Sequence, residues 1–68
     1  MTLAQLIKSS REDRKLSYKR AAAGIGISQS TLHDIEHGAM PRLDTAVRMA
    51  RFYELPITRL AELAEAQD

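Results

Sequence analysis

The chain has 68 residues, no cysteine and a net charge of +1. One domain is the expected count, near the lower limit for a single apolar core. The composition excludes disulfides and thiolate zinc sites, and no apolar run is long enough to cross a bilayer. Residues 1–10 lack the basic and apolar regions of a secretion signal, so a reducing cytoplasmic setting is expected. The charge is uneven. Residues 1–42 hold seven basic and four acidic groups, whereas residues 43–68 hold three basic and five acidic. One half could face an anionic partner; a solvated surface of mixed charge is the plainer alternative.

Helix signals recur along the chain and no strand pattern competes. Thr2 and Gln5 have capping-box spacing, and Leu3, Leu6 and Ile7 define an apolar stripe. They predict a first helix from about Leu3 to about Lys15. Ser17 is the N-cap candidate of a second helix through Ala21, Ala22 and Ala23, interrupted by Gly24-Ile25-Gly26. Ser28 caps a third, with Leu32 and Ile35 inward and Gly38 ending it. A fourth runs from about Leu43 to Tyr53 and buries Leu43, Val47 and Ala50. Pro56 starts a fifth, carrying Leu60 and Leu63, with residues 65–68 fraying.

Residues 18–35 are the most informative. Two helices that meet through a short turn need a small residue at their contact, which Ala22 supplies. The turn needs a residue tolerant of positive φ, which Gly26 supplies. Ala21, Ile25, Ile27, Leu32 and Ile35 have the spacing of a shared core. With Leu32 and Ile35 inward, helical geometry turns Gln29, Ser30, His33, Asp34 and His37 outward.

The segment from Leu16-Ser17-Tyr18 through Ile35-Glu36-His37-Gly38, continued by Pro41-Arg42-Leu43-Asp44-Thr45, resembles the phage repressor/Cro-type helix-turn-helix family, also called the xenobiotic-response-element family. The resemblance implies an all-α, five-helix DNA-binding domain over residues 1–68, with the helix-turn-helix at about 17–37. It implies a small transcriptional regulator, a repressor or Cro-like protein, and not an enzyme. Family members usually act as dimers on operator DNA. A homodimer on a palindromic double-stranded site is therefore expected, with no cofactor and no membrane, and with no small-molecule ligand unless the chain is a piece of a longer protein that carries a separate sensing domain. A protein-interaction or antitoxin-like module on the same fold is the alternative.

The third helix is then the recognition helix, entering the major groove. Gln29 can read adenine bidentately, Ser30 can donate or accept, and the Thr31 methyl can pack on thymine. His33 and Asp34 complete the base-contact set, Asp34 as an acceptor for cytosine N4. The phosphate candidates are Ser17, Tyr18, Lys19, His37 and Arg42, helped by backbone donors at two helix N-termini. The resemblance also implies a partly buried ion pair between Arg11 and Glu36, with two independent surface charges as the alternative, and a dimer contact around Phe52, Tyr53, Pro56 and Ile57, with a partner site or plain core packing as the alternatives. Three residues depart from the family pattern. Tyr18 stands where glutamine is common. Glu54 replaces a glycine, so that turn is expected to differ. Asp34 puts negative charge on the reading surface. His33-Asp34-Ile35-Glu36-His37 also fits an inverted zinc-peptidase pattern. It lacks an identifiable third ligand and a cleft, and no metal site is assigned.

Overall fold

A computed structural model describes residues 1–66. The helices are α1 (Leu3–Asp13), α2 (Tyr18–Ile25), α3 (Gln29–Glu36), α4 (Leu43–Phe52) and α5 (Ile57–Ala66), with no strand among the described residues. Each of the first three is capped by a side chain. The Thr2–Gln5 capping box is complete, with Gln5 N–H donating to Thr2 Oγ1 (3.1 Å) and Thr2 N–H to Gln5 Oε1 (2.8 Å). Ser17 Oγ accepts from Arg20 N–H and Ser28 Oγ from Thr31 N–H, both at 3.1 Å. These bonds satisfy amides that a helix start leaves without partners.

The first four helices stop by one device. Lys15, Gly26, Gly38 and Glu54 all have positive φ (55°, 91°, 111° and 56°). In each case the residue that follows donates back to a carbonyl five positions earlier. The bonds are Leu16 to Arg11, Ile27 to Ala22, Ala39 to Asp34 and Leu55 to Ala50. This is the Schellman arrangement, in which a left-handed residue lets the chain turn while the last carbonyls stay paired. Leu16, Ile27 and Leu55 then pack against the core, so the stop also aims an apolar side chain inward.

The structure departs from the sequence-based expectations at several points. The first helix ends at Asp13, because Lys15 takes the left-handed position. Gly24 does not interrupt α2, which runs to Ile25; only Gly26 is left-handed. Glu54 adopts the conformation that glycine favours, so the α4–α5 turn keeps the left-handed stop without one. Leu43 is 78% exposed and Val47 only partly buried, while Met49 is fully buried. The inward stripe of α4 is therefore Ala46, Met49, Ala50 and Tyr53, one helical face displaced from the expected one. Glu65 and Ala66 belong to α5, and positions 67 and 68, where fraying was also expected, lie outside the described residues.

The helices share one core. Leu3, Leu6 and Ile7 of α1 meet Ala21, Ala22 and Ile25 of α2, Leu32 and Ile35 of α3, and Met49, Ala50, Tyr53 and Leu60 behind them. α3 is backed by both α1 and α2, and α5 closes on α4 and α1. The result leaves one face of α3 free and fixes the helix from behind. No helix among the described residues is long and apolar enough to cross a membrane.

Candidate nucleic-acid interface

The anchor of α3 is Glu36, whose side chain is completely buried. Arg11 reaches it with two parallel hydrogen bonds, Nε to Oε2 at 2.8 Å and Nη2 to Oε1 at 3.1 Å. Its third donor, Nη1, goes to the Leu16 carbonyl at 2.9 Å. A buried carboxylate is tolerated only when charge and lone pairs are both satisfied, and this fork meets that need. The hydrogen bond to Glu36 raises the Arg11 pKa above its ordinary value, against the opposing effect of burial. The pair ties the end of α3 to α1 and to the turn before α2. It also removes Glu36 from the exposed His33–His37 pair, so the inverted zinc-peptidase pattern has no carboxylate available for a general base.

The other face of α3 is open. Gln29, Ser30, Thr31, His33, Asp34 and His37 are all exposed. Thr31 is committed in part, since its Oγ1 accepts from Ser28 Oγ at 2.8 Å and its N–H donates to the same cap. Its methyl group is the part left for contact. Ser30 Oγ lies 3.2 Å from the Ser28 hydroxyl, at the mouth of the helix. His33 and His37 are stacked, with ring centroids 4.0 Å apart. His37 Nδ1 donates to the His33 carbonyl at 2.7 Å.

Basic and polar groups flank this face. Ser17 and Lys19 are exposed at the start of α2, and Tyr18 is partly buried beside them. Arg42 precedes α4 with its side chain 87% exposed, loosely paired to Asp44 at 3.7 Å. A shallow recess lined by Thr31, Asp34, Met40 and Thr45 sets Arg42 beside α3.

The helix-turn-helix family profile matches residues 7–60. The chain belongs to that family. A curated relative, the cryptic phage CTXphi transcriptional repressor RstR of Vibrio cholerae, is 35% identical over 60 residues. Those residues are 87% of this chain and 54% of the relative, so the chain spans about half its length.

In this helix-turn-helix, α2 and α3 are the two helices of the motif and Gly26 is the turn. Tyr18, through His33, and Arg42, through the recess, lie beside the outer face of α3. The residues expected at a dimer contact do not stay together. Tyr53 is 4% exposed, and Phe52 is half-buried with its ring edge-on to Tyr53 at 5.1 Å. Both pack with the core, because the α4 stripe ends on them. Pro56 and Ile57 remain exposed. Ile57 borders an apolar groove of about 330 Å³ with Leu3, Met40, Leu43, Ala46 and Ala61. Leu43 and Met40 are exposed groups that the sequence does not reveal, since the apolar stripe expected for α4 turns Leu43 inward. A third omission is Arg48, whose Nη1 donates to the Gly26 carbonyl at 3.1 Å and ties α4 to the turn. Nothing in the local pattern announces a contact across 22 residues.

Proposed function

We propose that this chain is a sequence-specific double-stranded DNA-binding protein acting as a small transcriptional regulator, a repressor or Cro-like protein. One observation supports this reading above the rest. The buried Arg11–Glu36 fork fixes α3 from behind, while the outer face of α3 offers an uninterrupted row of hydrogen-bonding side chains. In the major groove, Gln29, Ser30, Thr31, His33 and Asp34 meet base edges. Ser17, Tyr18, Lys19, His37 and Arg42 meet phosphates and set the register. The mechanism is occupancy of the groove; it involves no catalysis, cofactor or metal, and its setting is the cytoplasm.

One recognition helix reads only a few base pairs. Two copies on a palindromic site, about one helical turn or roughly 34–36 Å apart, read enough for useful specificity. The exposed part of the dimer patch is Pro56 and Ile57, adjoining Leu43. A patch of this size gives a weak free dimer, since stable interfaces generally bury more than about 1,000 Å². DNA supplies the rest by holding both copies side by side.

Selection of bound duplexes from a random pool tests the proposal. Enrichment of one inverted repeat is expected. No enrichment even at low salt overturns DNA binding and favours a protein partner instead.

A further inference from the structure

Tyr18 opens α2, and its ring joins the buried ion pair to the exposed face of α3. The Arg11 guanidinium lies 4.2 Å from the Tyr18 ring centroid. That guanidinium is held in place by three hydrogen bonds, two to Glu36 and one to the Leu16 carbonyl. The same Tyr18 ring meets His33, with centroids 5.7 Å apart and planes tilted by 50°. His33 in turn stacks on His37 at 4.0 Å with planes 18° apart. Arg11, Tyr18, His33 and His37 thus form one column across α1, α2 and α3.

We propose that Tyr18 is a specificity-determining positioning residue, whose ring sets the orientation of His33 and thereby the base that His33 reads. The inference rests on the DNA-binding reading above. An exposed histidine ordinarily samples several staggered rotamers and presents its ring nitrogens in as many directions. Ordering it on binding then costs free energy and blurs base choice. Here the side chain of His33 is 55% exposed, yet its ring touches neighbours from α2 and from its own helix. Its Nδ1 is 3.7 Å from Asp34 Oδ1, too long for a hydrogen bond, so ring packing holds it more than that contact does. Tyr18 gains its own rigidity from Arg11, by the attraction of a cation to an aromatic face.

The hydroxyl and the ring of Tyr18 have separable roles. A hydroxyl on phosphate changes affinity for every sequence alike. A ring that aims His33 changes preference at one base pair of each half-site. Sequence selection with the wild type, Tyr18→Phe, Tyr18→Ala and His33→Ala distinguishes them. Tyr18→Phe is expected to keep the wild-type preferences. Tyr18→Ala and His33→Ala are expected to relax the same base pair, by roughly five- to a hundredfold. In the free protein, the His33 ring-proton resonances should move in Tyr18→Ala and stay in Tyr18→Phe. Uniform weakening by Tyr18→Ala with preferences intact overturns the inference, as does Tyr18→Phe behaving like Tyr18→Ala. Should Tyr18→Ala fail to fold, Tyr18→Leu takes its place, and unchanged preferences in it or in His33→Ala overturn the inference. A wild type that enriches no sequence overturns the DNA-binding reading as well. Enrichment by the wild type with unchanged variants overturns only the role of Tyr18.

Discussion

The ring of Phe52, at the end of α4, lies directly on the backbone of Gly24 inside α2; a Cβ on Gly24 would run into the Phe52 ring carbons. This contact explains two residues at once. A glycine in a helix interior costs about 1 kcal/mol relative to alanine, and here the absent side chain is what lets α2 and α4 approach. Phe52 fills the space so made, which turns it inward.

Gly24→Ala should therefore destabilise the protein, by about 1–2 kcal/mol, as overpacking outweighs the gain in helix preference. With Phe52→Ala in place, the same substitution should become neutral or stabilising. Urea denaturation of the four proteins measures this coupling. An equal effect in both backgrounds would mean that the two residues are independent.

Much of the fold is legible in the sequence because caps and stripes are local. Thr2, Ser17 and Ser28 announce their helix starts, and Gly26 announces the turn. The stops at Lys15 and Glu54 are not legible, since neither residue type favours positive φ. Their conformation follows from Leu16 and Leu55 being drawn into the core, a tertiary demand. The α4 stripe is misread for a similar reason. Leu43 and Met49 are both apolar, and which is covered depends on how α4 packs against α2 and α5. At the candidate interface, the outward set of α3 follows from Leu32 and Ile35 alone. The Tyr18–His33 contact does not, because it depends on how α2 and α3 sit together.

Tyr53 provides a test of burial. Its hydroxyl is buried and has no hydrogen-bond partner among the described residues. Burial pushes its pKa from 10.0 up to about 12; Glu36 acts in the same direction, and Arg11 and Arg14 oppose it. The folded state thus holds the neutral hydroxyl while the unfolded chain ionises near 10. The corresponding stability is complete below pH 10 and lost as pH rises toward 12. After allowance for solvent screening, the loss is on the order of 1–2 kcal/mol. Tyr53→Phe should lack this fall, and near pH 7 it should be as stable as the wild type or up to about 1 kcal/mol more so. Thermal melts against pH report both, and identical alkaline profiles would contradict the assignment.

Two variants separate base reading from phosphate contact. Gln29→Ala should weaken binding to the selected site by roughly 1–3 kcal/mol, mainly by relaxing one base pair. Arg42→Ala should weaken specific and random duplexes alike, and flatten the log–log salt dependence by about one unit. Fluorescence titrations at several salt concentrations measure both. Unchanged affinity removes Gln29 from the reading set, and an unchanged slope removes Arg42 from the phosphate set.

Assembly is best probed at Ile57, which is exposed, and not at Phe52, whose replacement disturbs packing. Ile57→Glu should abolish cooperative binding to an inverted repeat while leaving helicity and single half-site binding intact. Retained cooperativity in gel-shift titrations would move the interface elsewhere.

The outer face of α3 is the surface proposed to meet DNA. Titrating the isotopically labelled protein with its selected duplex, and following backbone amide resonances, tests that most directly. The largest changes are expected at the start of α2, along residues 29–37 and at Arg42, with a smaller one at Ile57 from dimer contact. Changes confined to the Leu43–Ile57 groove, with residues 29–37 unmoved, would contradict the account.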